Sequence, residues 1–284
     1  MQPSDCPARR CSGFTLIEAV IVIAITGLLA AIVARFIVQP VRAYLDTVAR
    51  AALVDTADRA LRRIGRDLHV ALANSTRVSA SGRALELIPS TGAARYKTED
   101  ATGRLDFGVL DTSFDLLGLP LTLAASQHLV FYNLGSGITG SDAYAANGNA
   151  TEQASSNRRT ATNAAGAATT ITLDSLAPLP AAALAAPYRV TAVDPPVTYR
   201  CDLASGTLTR HQNYGFVATQ PDPPSGGTSA ILATGVTGCQ FDYDAALVAS
   251  RAGLVRLRLT LSTPTSTGTE SVSLYHAVHV DNLP

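Results

Sequence analysis

The chain has 284 residues, about two average domains' worth, and its formal net charge is zero. That balance leaves no electrostatic footprint for nucleic acid as a partner. With 47% hydrophobic residues the chain can bury a core, which excludes wholesale disorder.

The first predicted element crosses a membrane. Residues 14–34 are mostly Ile, Leu, Val and Ala. At about 1.5 Å per residue they reach roughly 30 Å, the thickness of a bilayer core. Arg9 and Arg10 precede the run and place the N-terminus in the cytoplasm, with the rest of the chain beyond the membrane. Arg35 can snorkel to the far interface. A secretory signal peptide would be shorter and would end in a small-residue cleavage site. A simple signal anchor would leave Gly13 and Glu18 unexplained, and a carboxylate inside an apolar run is costly.

The stretch GFTLIE, Gly13 to Glu18, resembles the processing site of type IV prepilins. It has the glycine, then phenylalanine, then glutamate at the fifth position of the mature chain. The resemblance implies that prepilin peptidase removes residues 1–13 as a leader, cutting between Gly13 and Phe14. It also implies N-methylation of Phe14. In a bundle of such helices, the cationic terminus of one subunit and the Glu18 carboxylate of another can neutralise each other, or Glu18 can serve the processing enzyme alone.

Residues 35–74 continue the helix. Val54, Ala57, Leu61, Ile64, Leu68 and Ala71 recur every three or four positions and make one apolar face. Asp46 with Arg50, Asp55 with Arg59, and Asp58 with Arg62 are i,i+4 pairs in the favoured orientation. Pro40 should kink the helix, Gly27 and Gly65 weaken it, and Asn74 and Ser75 are stop signals. This face reads as a cover for a sheet.

From residue 75 the pattern becomes strand-like. Predicted strands are 83–89, 128–134, 188–193, 197–203, 206–212, 239–244, 253–262 and 271–280. Leu254 to Leu261 alternates, with Arg256 and Arg258 on the outer face. CDLASGTLTR reads as a hairpin turning at 204–206. Residues 135–170 and 219–230 are rich in turn formers and read as surface loops. The expectation is one α+β domain over 75–284, with antiparallel strands packed on the long helix. Cys6 and Cys11 precede the membrane run, whereas Cys201 and Cys239 follow it. Outside the cytoplasm the latter pair can oxidise, which contributes roughly 3–4 kcal/mol in the chain-entropy model; two buried thiols are the alternative.

Several segments carry a second likeness: FIVQPVRAYLDT, LDFGVLDTSFDLLG, VFYNLG, PVTYRCD, GTLTRH, GLVRLRLTLS and SVSLYHAVHVDNLP. Together they resemble the MshO family of minor pilins of mannose-sensitive haemagglutinin (MSHA) pili. The J-type minor pseudopilins of type II secretion are similar in architecture, and a subunit of that kind is the alternative to a pilus subunit. The resemblance implies a type IV pilin-like fold in the inner membrane with its globular domain in the periplasm. It also implies a subunit that helps initiate or tip a pilus alongside other minor and major pilins.

The chemistry-bearing motifs are weak. Gly135, Gly137 and Gly140 spell G-x-G-x-x-G, but turn formers follow where a phosphate loop needs a helix. His276 and His279 fall on opposite faces of a strand, and Asp242 and Asp244 share a face without an acidic loop. No nucleophile elbow is present, so no catalytic residue, cofactor or metal is expected. The competing function is a signal-anchored periplasmic binding module or hydrolase.

Overall fold

A computed structural model describes residues 13–99, 102–243, 252–265 and 268–283. Its layout is α+β, a long N-terminal helix followed by antiparallel strands, as the sequence predicts. Helix α1 spans Leu16–His69 and runs unbroken through Pro40. Thr15 caps it from an extended conformation, its Oγ1 accepting the Glu18 N–H at 3.3 Å. Arg66 and His69 in the last turn complement the helix dipole.

The helix ends short of Asn74, which has a different task. Asn74 is left-handed with φ 58°, and its Nδ2 donates to the carbonyls of Asn133 at 2.9 Å and Asn282 at 3.1 Å. The packed face is Leu53, Ala57, Ala60, Leu61, Ile64, Gly65 and Leu68. Val54 is exposed, because the face turns by one residue at its membrane-side end. Asp55–Arg59 and Asp58–Arg62 form ion pairs. Arg50 reaches across to Glu270 at 3.0 Å.

The strands in chain order are β1 (Arg77–Val78), β2 (Ala84–Leu87), β3 (Ser90–Tyr96), β4 (Ser113–Leu117), β5 (Leu121–Leu123), β6 (His128–Phe131), β7 (Arg158–Thr160) and β8 (Gly166–Ala168). They continue with β9 (Thr170–Thr172), β10 (Arg189–Val193), β11 (Val197–Asp202), β12 (Thr207–Gln212), β13 (Thr228–Thr234), β14 (Val236–Tyr243), β15 (Ala252–Thr265) and β16 (Gly268–Asp281). One sheet is ordered β1-β2-β11-β12-β13 and another β14-β15-β16. Together with α1 they enclose one core that includes Ile64, Leu87, Tyr199, Leu208, Phe241 and Leu257.

A third sheet, β7-β6-β10-β3-β4-β9, and the pair β5-β8 lie apart with a core of their own. Its centre is aromatic: Tyr96, Phe114 and Phe131 meet edge-on at 5.8–6.1 Å. This second lobe is inserted between β2 and β11, which are neighbours in the first sheet, with Leu87 paired to Val197. The two crossings touch, since the Asp194 N–H donates to the Pro89 carbonyl at 2.9 Å. The single sheet layer expected on the helix is therefore only half of the strand region.

The segment 135–170, expected to be a surface loop, is built into this lobe. It holds the short helix α2 (Ala150–Gln153), β7, β8 and the start of β9. Arg159 within it is fully buried and donates to five carbonyls, those of Gln153, Ser156, Arg158, Ala177 and Pro178, at 2.8–3.0 Å. Burial lowers its pKa to about 10. Side-chain bonds to backbone order this polar stretch, a force that apolar periodicity does not register. The predicted loop 219–230 likewise gives way to β13 from Thr228.

Candidate functional site: the N-terminal helix

The site is the bare part of α1 and the residues just before it. Gly13 is exposed, with open space about its Cα among the described residues. Phe14 is 81% exposed, and Glu18 stands exposed in the first turn. Thr15 and Glu18 also have the spacing of the S/T-x-x-E capping pattern, a signal legible in the sequence alone, and the Thr15 half of it is formed, its Oγ1 accepting the Glu18 N–H.

From Leu16 to Val48 the helix presents apolar side chains to the outside on every face: Leu16, Ile17, Ile21, Ile25, Leu29 and Phe36 are all exposed. An 18-residue window within it has mean hydropathy 2.7 and none of it is buried, so the helix is long and apolar enough to cross a membrane. Within the helix, Thr26 and Thr47 return their hydroxyls to the carbonyls of Val22 and Ala43. No polar group other than Glu18 has to be matched between Leu16 and Ala34.

Residues 8–34 match the prokaryotic N-terminal methylation motif. The motif covers Arg9, Arg10, Gly13, Phe14 and Glu18 together with the apolar run, so the basic segment and the helix form one signal. No curated protein and no solved structure matches the chain. The residues before Gly13, with Cys6, Cys11 and the two arginines, lie outside the described residues.

The other residues singled out by sequence fall elsewhere. Cys201 and Cys239 are bonded, tying β11 to β14 across the main core, with Cα atoms 6.3 Å apart. Gly135, Gly137 and Gly140 all have positive φ, and the Gly137 N–H donates at 2.7 Å to the Asp142 carboxylate, which also accepts from the Tyr144 N–H at 2.8 Å. The glycine loop thus spends an amide on the chain's own anion. His276 lies on the helix side of β16 beside Gly65, while His279 faces outward. Asp242 accepts from the Gln240 amide at 3.2 Å, and Asp244 lies outside the described residues. Among the described residues no group of three metal-ligating side chains assembles.

A buried polar cluster joins the lobes. Arg77 donates to Glu86 at 2.6 Å and to the carbonyls of Val217 and Ala218 at 2.7 and 2.6 Å, and it stacks 3.6 Å over the Tyr144 ring. Tyr214 donates to the other Glu86 oxygen at 2.7 Å. Burial raises the Glu86 pKa, with Arg77 and Tyr214 pulling the other way. The cluster is closed by its own members and reads as a structural joint.

Proposed function

We propose that this chain is a non-enzymatic pilin-like subunit. It enters the inner membrane through α1, loses residues 1–13 to prepilin peptidase and is methylated on Phe14. It is then assembled with other pilins through the same helix. One observation carries this reading, the length of the bare apolar surface. Leu16 to Val48 reaches about 50 Å along the helix, against roughly 30 Å of hydrocarbon in a bilayer. Ile37, Val41, Tyr44, Leu45 and Val48 therefore stand beyond a single crossing and remain exposed. Other helices of the same kind would cover them, each square ångström contributing about 25 cal/mol.

The Cys201–Cys239 bond supports a periplasmic side for the strand region, because disulfides persist in oxidising compartments. The finer assignment, a minor subunit at the start or tip of an MSHA-type pilus, rests on the similarity of the segments around residues 197–212 and 253–284. In the assembled bundle Glu18 pairs with the N-terminal cation of a neighbour, since an unpaired carboxylate in that setting is costly. Intact-mass measurement on the membrane-extracted chain tests the processing. The expected mass lacks residues 1–13 and carries one added methyl group. A full-length N-terminus, or cleavage near Ala34, would overturn the reading.

A further inference from the structure

Sheet edges are templates for pairing, and folded proteins guard them by shortness, bulges, proline or charge. Most of the edges here are guarded. β1, β7 and β9 have two or three residues each. β13 is bulged, its register slipping opposite Leu208 and Thr209. β14 is bulged between Val236 and Gly238. The exception is β16. It is fourteen residues long, ends its sheet, and pairs with β15 in one unbroken register from Gly268 to Asp281. Its central run, Ser271 to Val280, reads SVSLYHAVHV, with no proline, no glycine and no Lys, Arg, Asp or Glu. Such a segment left open is an aggregation hazard, so its native setting has to cover it.

The direction of β16 restricts what can cover it. Arg50 meets Glu270, and Gly65 meets His276 and Val278, so α1 and β16 run the same way. With α1 anchored in a membrane, β16 runs away from that membrane. An antiparallel fourth strand must then run back toward it, and antiparallel pairing is the more stable arrangement. A second copy of this chain, held by the same anchor, offers its own β16 in the wrong direction. Antiparallel β16–β16 pairing would point the two anchors to opposite sides.

We propose that β16 is an assembly edge that accepts an antiparallel strand from a different membrane-anchored subunit, extending the β14-β15-β16 sheet. Tyr275, 63% exposed, and the outward-facing Ser273 and Ala277 then supply the side-chain contacts on the outer face. The proposal rests on the pilin-like reading, which supplies the shared direction of the anchors.

Hydrogen exchange with peptide mass spectrometry tests it on the full chain in native membranes with its co-expressed subunits, against the detergent-extracted chain alone. Amides in residues 271–280 are expected to gain at least tenfold protection in the assembled state, while residues 228–231 of β13 do not change. Equal exchange of 271–280 in both states overturns the edge even where Phe14 is processed and the chain is incorporated, which leaves the pilin-like reading standing. Protection that appears in the isolated chain on raising its concentration also overturns it, in favour of self-pairing. A chain whose leader is retained and which co-assembles with nothing sinks the pilin-like reading and the edge together.

Discussion

Glu18 occupies the third position of α1, and two physical effects act on it there. Its backbone N–H donates to the Thr15 hydroxyl, a cap worth about 1 kcal/mol, and its carboxylate complements the positive end of the helix dipole. Both effects operate within one chain. Pairing with a neighbour's terminal cation in a low-dielectric bundle is a between-chain effect and a larger one. Two variants separate them. Glu18→Gln keeps the Thr-x-x-Gln capping pattern but loses the charge, whereas Glu18→Ala loses both. Both are expected to leave the urea midpoint of the strand region unchanged and to abolish incorporation into filaments, scored in pelleted pili. Normal incorporation of Glu18→Ala would refute a pairing role, and rescue by Glu18→Gln alone would assign the residue to capping.

At the level of elements, the docking of α1 on β16 helps to close the core of the first lobe. Gly65 lies where the two approach, and a Cβ there would sit 3.4 Å from His276 Nε2 and 3.7 Å from a Val278 methyl. A methyl group fits that gap, while anything larger would lift the helix. Gly65→Ala should therefore raise stability by up to about 1 kcal/mol through helix propensity. Gly65→Phe should lower it by about 1–3 kcal/mol through overpacking. Chemical denaturation of the two variants checks the pair, and a stabilised Gly65→Phe would show that the contact is loose. The solvent-facing pairs Asp55–Arg59 and Asp58–Arg62 contribute little beside this, since exposed ion pairs are worth a few tenths of a kcal/mol.

At the level of the whole molecule, the two lobes are held by the Arg77 joint and by an apolar cluster of Leu72, Ile88, Val130, Tyr144 and Val193 with Phe216 packed against it. Glu86 has no solvent access, so its charge depends on Arg77 and Tyr214. Arg77→Met would strand that carboxylate at a cost of about 3–5 kcal/mol. Adding Glu86→Gln should recover a large part, giving a coupling of at least about 1 kcal/mol in a double-mutant cycle read by denaturant. Additive effects would mean that the joint is not electrostatic. Phe216 is clamped in the same joint between Arg158, 3.7 Å over its ring, and the His128 ring at 4.9 Å. The loop after β12 thus reaches from the first lobe into the second.

The sequence by itself determined the features that repeat locally. The methylation motif is contiguous, the apolar run is contiguous, and strands such as β15 and β16 alternate residue by residue. Each can be read within a short window, because burial of a helix or strand face is a property of that window. The tertiary structure alone decided the rest. β3 escapes pattern reading because STGAARY has small side chains where an apolar alternation would be visible, yet it pairs on both sides. The second lobe is an insertion only because Leu87 and Val197, far apart in the chain, are sheet partners. Arg159 is a core residue only because five carbonyls from two stretches, 153–158 and 177–178, converge on it. The open edge of β16 is defined by the fact that, among the described residues, no strand pairs on its far side. Pairing and its absence are long-range facts, decided by the free energy of the whole arrangement and left unmarked in any one stretch of residues.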